Sequence, residues 1–221
     1  MEGLSRRLLA IVVLVVSAAA ALSAGGWSVI TVADFPDYAM AGRTLTLTFS
    51  VRQHGQTLVS GLKPVVQASS SGSAPVVARA TPTSKPGEYT ATLELDRVGD
   101  WSIVVDGGFN TEDRTRQYNS IALPRLRVIP AGAAPLVLFS EAERGAVLML
   151  TKGCVSCHAP GGDRDLTRRH LSPARVTWVL AHPERIQGDM PDLGLQPAEV
   201  SALASHLTSG RMGKPDDKGQ P

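Results

Sequence analysis

The sequence predicts a multidomain chain in which an all-β sandwich is followed by a small all-α domain. Three observations point there. From Trp27 to about Pro130 apolar and polar residues alternate with the period of strands, and after Ala131-Gly132-Ala133-Ala134-Pro135 the apolar spacing becomes helical. Both cysteines of the chain then fall together in the helical part. A length of 221 residues suits one large or two small domains. The net charge of +2, with 5% aromatic residues and no basic run, points away from nucleic acid.

Residues 1–24 precede this pattern. Arg6-Arg7 is followed by the apolar run from Leu8 to Val16 and by an alanine-rich stretch ending Ala21-Leu22-Ser23-Ala24. A basic start, an apolar middle and small residues at the end describe a secretory signal. The rival is an uncleaved anchor, because residues 8–24 reach the short end of the roughly 17–25 residues that span a bilayer and Trp27 suits a membrane interface. Cleavage is the favoured reading, since only Gly25-Gly26 separates the run from a strand. Either way the rest is expected in the periplasm, released or tethered to the outer face of the cytoplasmic membrane.

The sandwich is assigned to residues 27–130. Its clearest strand is Arg43 to Arg52, where Leu45, Leu47, Phe49 and Val51 share one face and Thr, Ser and Arg the other. His54-Gly55-Gln56 reads as a turn, and Leu58 to Ala68 as an extended stretch broken by Pro64. Pro86-Gly87 turns the chain into Glu88 to Leu95, Val98-Gly99-Asp100 turns it into Trp101 to Val105, and Leu123 to Ile129 closes the set. Short alternating strands with turn signals every eight to twelve residues describe a small β-sandwich. Ser69 to Ser73 and Gly107 to Asn119 read as loops.

Ala41-Gly42-Arg43 before the alternating strand, Gly61-Leu62-Lys63-Pro64, and Gly87-Glu88-Tyr89 followed by Gly99-Asp100-Trp101 carry a likeness. On these residues the region resembles the immunoglobulin-like modules of the YtkA and FixH type. The resemblance implies an exported protein near copper or respiratory-chain functions, although the region offers copper only His54 and Met40 and no cysteine.

Residues 131–139 read as a linker and residues 211–221 as a disordered tail. Between them, over 140–210, Ser140 precedes Glu141 to Leu150 as an N-cap, with acidic residues in the first turn and Glu143 at the capping-box position. That helix runs into Gly153-Cys154-Val155-Ser156-Cys157-His158. Two thiols two residues apart with an imidazole directly after them form the C-x-x-C-H pattern of covalent haem attachment. Each sulfur bonds a porphyrin vinyl carbon, and the next histidine reaches only the face below the iron.

Three other readings of the motif compete. A thioredoxin-like pair needs a βαβ setting, which the pattern lacks. Zinc needs four ligands and hence distant histidines. A plain Cys154–Cys157 disulfide remains open in an exported protein.

Downstream, Ser172-Pro173 opens a helix through Val176, Trp178, Val179 and Leu180, and Val200, Leu203, Ala204 and Leu207 mark a closing helix from about Pro197. Between them stands Asp189-Met190-Pro191-Asp192-Leu193-Gly194-Leu195. With Arg144-Gly145 on the first helix, the C-x-x-C-H, Asp165-Leu166-Thr167 and a tryptophan-bearing helix, this stretch resembles the class I mono-haem cytochromes c. The resemblance implies one covalent haem c on Cys154 and Cys157, with iron ligated by His158 and Met190 and with Trp178 and Arg169 beside the propionates. It also implies a backbone carbonyl that accepts a hydrogen bond from the proximal histidine. Arg164 stands where many relatives have proline, and its carbonyl can fill that role. His182 and His170 are the rival sixth ligands, whereas His206 reads as an exposed or half-packed residue of the closing helix.

The expected function is a periplasmic electron carrier with no catalytic residues of its own. Its partner would be a redox protein or a membrane respiratory or photosynthetic complex. The alternatives are a non-catalytic haem subunit of such a complex and a haem or copper sensor using the sandwich.

Overall fold

The structure is a computed structural model and describes residues 27–109, 119–134, 139–166, 169, 171–186 and 190–209. Two sheets face each other. The first has the order β1 (Ser28–Val32), β3 (Arg43–Gln53), β8 (Glu88–Leu95), β7 (Thr81–Pro82), with β4 (Thr57–Leu58) also paired to β3. The second has the order β2 (Tyr38–Met40), β11 (Leu126–Ile129), β9 (Gly99–Asp106), β5 (Val65–Ser69), β6 (Val76–Arg79), with β10 (Ser120–Ala122) also on β9. Every pairing is antiparallel except β2 with β11.

The alternation seen in the sequence sets the register. Leu45, Leu47 and Phe49 of β3 lie opposite Leu93, Ala91 and Tyr89 of β8, Val51 lies opposite Ile30 of β1, and their side chains share one core. Phe49 stacks on Tyr89 with ring centroids 6.1 Å apart. Trp101 is fully buried from the second sheet and satisfies its indole by donating to Arg97 O at 3.0 Å. The described residues therefore include a two-sheet β-sandwich, as the sequence led one to expect.

The short strands β2, β6 and β7 were not legible, because two to four residues are too few to show a period. The leader, the linker core at 135–138 and the tail lie outside the described residues. Among the described residues no helix is long and apolar enough to cross a membrane.

The expected separate all-α C-terminal domain is not evident, and the fold class must be corrected. The described molecule is mostly β-sheet, with three short helices: α1 (Glu141–Thr151), α2 (Pro173–Ala181) and α3 (Pro197–Thr208). The reason lies in β1, where all five residues are buried. Ile30 and Val32 enter the sandwich core, while the end of α1 and the turn after it cover the opposite face. Gly153 adopts φ 72° there, and a Cβ on it would stand 2.6 Å from Ile30 O and 2.8 Å from Val29 Cγ1. Only a residue without a side chain, and one at ease with positive φ, lets the two backbones approach this closely. The helices have an apolar cluster of their own, built on Leu148, Met149, Val176, Leu203 and Leu207, but one of its walls is a strand of the sandwich.

The helix ends agree with the sequence. Ser140 Oγ accepts from Glu143 N at 3.3 Å, and Ser140 N donates to the Glu143 carboxylate at 2.8 Å. Ser172 caps α2 by accepting from Arg175 N, with Pro173 in its first turn.

Candidate functional site

A cavity of about 420 Å³ lies between the three helices and β1. Its walls are mostly aliphatic, from Leu166, Leu171, Val176, Leu180, Leu203 and Leu207, with Val29 of the sandwich among them. Cys154, Cys157, His158 and Met190, distant in sequence by up to 36 positions, all line it.

Each of these residues is placed by a local rule. After α1 the chain reverses at Gly153 and makes a 3₁₀ turn over Cys154–Ser156. His158 N donates to Cys154 O at 2.9 Å, so the imidazole follows the turn directly. His158 Nδ1 lies 2.8 Å from Arg164 O. That contact fits an Nδ1–H donating to the carbonyl, which leaves Nε2 as the nitrogen with a lone pair to offer. Arg164 thus fills the carbonyl role that the sequence left to it. Asp165, buried beside it, accepts from Gly161 N at 2.7 Å and closes the intervening loop.

No disulfide joins Cys154 and Cys157. Burial pushes the Cys154 thiol up to about 11, with the neighbouring Cys157 acting in the same direction and Lys152 against it. Cys154 is therefore a neutral thiol at pH 7 and a weak nucleophile. This environment differs from that of a thioredoxin-type pair, whose reactive cysteine has a depressed pKa. Among the described residues no group of three or more His, Cys, Asp or Glu side chains is arranged to hold a metal ion.

Arg169 is among the residues that line the cavity and Trp178 is not. On α2, Arg175, Val176, Val179 and Leu180 share the inward face, and at 3.6 residues per turn Trp178 falls on the far side. It is 41% exposed and stacks on His182, ring centroids 5.2 Å apart, with the Arg175 guanidinium 5.1 Å from its ring. His182 is thereby turned outward, its Nδ1 3.0 Å from Trp178 O. His206 packs against α1, and burial lowers its pKa. Neither histidine lines the cavity, and His170 lies outside the described residues.

Several lining residues were not assigned to the site from the sequence. Arg175 was legible from its helical spacing to Val179, Arg164 lines the cavity in addition to lending its carbonyl, and Val29 carried no signal because it belongs to the sandwich.

Beside this cavity lies a second, polar one of about 400 Å³, walled by Thr31 and Arg52 of the sandwich and by Lys152, Gly194 and Glu199. Burial lowers the pKa of Arg52, and the charge of Asp192 opposes that shift. Lys152 is 6% exposed, pairs with Glu199 at 2.7 Å and donates to Ala33 O at 2.9 Å.

The residues present fit a covalently attached haem. They supply an apolar cavity within the roughly 300–1,000 Å³ range of cofactor sites, two adjacent thiols, an oriented imidazole, a thioether, and the arginines Arg164, Arg169 and Arg175 among the lining residues.

No protein-family model matches the chain, and no curated protein matches it. Among solved structures it is similar to the Lin-41 filamin domain, at 14% identity over 48% of this chain and 94% of that one, with a TM-score of 0.33. It is also similar to the superoxide reductase neelaredoxin from Ignicoccus hospitalis, at 14% identity, 49% and 86% coverage and a TM-score of 0.29. A third likeness is to a conjugative transposon lipoprotein from Bacteroides eggerthii, at 14% identity, 45% and 95% coverage and a TM-score of 0.27.

Proposed function

We propose that the chain is a periplasmic c-type cytochrome that passes single electrons, with one haem held covalently by Cys154 and Cys157 and ligated by His158 and Met190. The observation that carries the reading is that these four side chains, two thiols, an imidazole and a thioether, line one apolar cavity. The bound haem would supply one-electron iron chemistry, at a potential that a thioether ligand raises relative to two histidines.

The chain's own residues do the rest. Arg164 O fixes the ring of His158 through Nδ1. The aliphatic walls would limit water around a bound haem, which would favour electron transfer over ligand binding. Arg169, with Arg164 and Arg175, would offer charge to the carboxylates of the porphyrin edge. The redox partner is a soluble protein or a membrane complex, and the chain itself makes and breaks no substrate bonds. Export rests on the leader at residues 8–24, which also decides between a released and a tethered form.

The test is expression of the full chain with haem-attachment machinery. A pyridine haemochrome spectrum should show thioether-linked haem, and the ferric protein should show the charge-transfer band of methionine ligation. Met190→Ala should abolish that band while leaving the covalent haem in place. Persistence of the band in Met190→Ala would remove the methionine assignment, and colourless parent protein would remove the haem.

A further inference from the structure

We propose, resting on the haem reading above, that Lys152 is a positioning residue that clamps the methionine-bearing segment and the cysteine turn to the sandwich, and so keeps Met190 available as sixth ligand. Lys152 directly precedes Gly153-Cys154, yet its side chain leaves the haem cavity's centre and reaches across the interface. Its backbone carbonyl accepts from Thr31 Oγ1 at 3.4 Å, and its ammonium donates to Ala33 O at 2.9 Å, both contacts to the sandwich. The same ammonium meets Glu199 Oε1 at 2.7 Å on the first turn of α3. The other oxygen of Glu199 accepts from Gln196 N at 2.9 Å. Gln196 ends the segment that starts at Met190, so Lys152 joins, through its backbone carbonyl and its buried ammonium together, the end of β1, the attachment turn and the loop of the proposed sixth ligand.

The chemistry makes the clamp effective. Lys152 is 6% exposed and Glu199 sits in its shadow, so the pair is poorly screened by solvent and salt. Removing one partner leaves the other desolvated without its counter-charge. The α1 to α3 distance then depends on the helix packing and on the bond that Ser201 Oγ donates to the Glu141 carboxylate, and Leu193 and Gly194, which help wall the two cavities, lose the tie behind them.

The test uses full-length, haem-loaded protein carrying Lys152→Met, read by covalent haem content, by the ferric methionine band and by titration with imidazole, which competes for the sixth position. Covalent haem should be unchanged, and imidazole should bind about tenfold more tightly, the scale of coupling between residues in contact. Thr31→Val, which removes the hydroxyl bond to Lys152 O together with the longer one that Thr31 Oγ1 accepts from Arg52 Nη1 at 3.5 Å, should move the affinity in the same direction by about twofold. A Lys152→Met protein with the parent's band and imidazole affinity would overturn the proposal even if it melts earlier, since that outcome marks an ammonium with a purely structural part. Where Lys152→Met fails to accumulate, Thr31→Val decides by the same readout.

A second measurement is independent of haem. In the full chain before loading, amide hydrogen exchange over residues 193–200 should be faster in Lys152→Met than in the parent. Equal protection would overturn the clamp. A parent that never takes up haem removes the function proposed above and leaves this exchange comparison to judge the clamp by itself.

Discussion

The sandwich and the helical part differ most in how completely each encloses itself. In the sandwich, Leu47, Phe49, Val51, Leu93, Trp101 and Val105 are at 0% exposure, between two sheets that supply walls on both sides. In the helical part, Leu148, Met149 and Leu207 each retain 9%, Leu203 alone of the large residues reaches 0%, and the inner face opens on the cavity. A sheet pair closes its own core, whereas three helices of 11, 9 and 12 residues do not. The asymmetry teaches that dependence runs one way. The helices borrow β1 as a wall, and the sandwich takes nothing comparable from them beyond cover for the outer face of that strand.

The sharpest way to break this picture is Trp101→Ala. Truncating the largest fully buried side chain should cost about 3–5 kcal/mol. Urea unfolding followed by far-ultraviolet circular dichroism should show the sandwich and the helices lost together, because the wall goes with its sheet.

Gly145→Ala probes the reverse direction at a smaller cost. A Cβ on Gly145 would collide with Ala202 O and with His206 Cβ where α1 crosses α3. Overpacking of this kind costs about 1–3 kcal/mol. Hydrogen exchange should find α1 and α3 less protected while β3, β8 and β9 keep the parent's protection. Equal loss in both regions would show that dependence is mutual.

The smallest effect concerns acid. Burial lowers the pKa of His206 in the folded protein, and a hydrogen bond to the Ala142 backbone partly offsets it. The unfolded chain then takes up a proton that the folded chain binds less well. Stability is therefore lost as the pH falls through the ordinary histidine value of about 6.5 toward the lower folded value, and is fully present above it. His206→Gln should flatten that part of the profile in urea midpoints compared between about pH 5 and pH 8, and the sandwich alone should not respond.

What was legible in the sequence follows from range. Strands β3, β8 and β9 are long enough to display period two, and α1 announces itself through Ser140 and Glu143, because these signals are written within a few residues of where they act. The motif at Cys154 to His158 and the Met190 segment were likewise readable. Their meeting in one cavity was anticipated only through a family resemblance, since nothing local to either records the other.

The outward turn of Trp178 was missed because an aromatic residue in an apolar helix reads as inward until the faces are counted. The docking of helices on β1 was invisible for a different reason. Ser28 to Val32 is a continuous apolar run broken only by Ser and Thr, and its burial on both faces is a property of its partners. Val29 and Thr31 look like ordinary strand residues until Lys152 and Gly153 are seen against them.

The double-sided burial of one five-residue strand has a consequence for anyone wishing to transplant the helical part. Cutting before Ser140 and grafting the remainder elsewhere would strip away Val29, Thr31 and Ala33, exposing a greasy flank and leaving the Lys152 ammonium with Glu199 but without its backbone acceptor. A portable version would have to carry a surrogate for that strand, or have its bare side redesigned with polar residues.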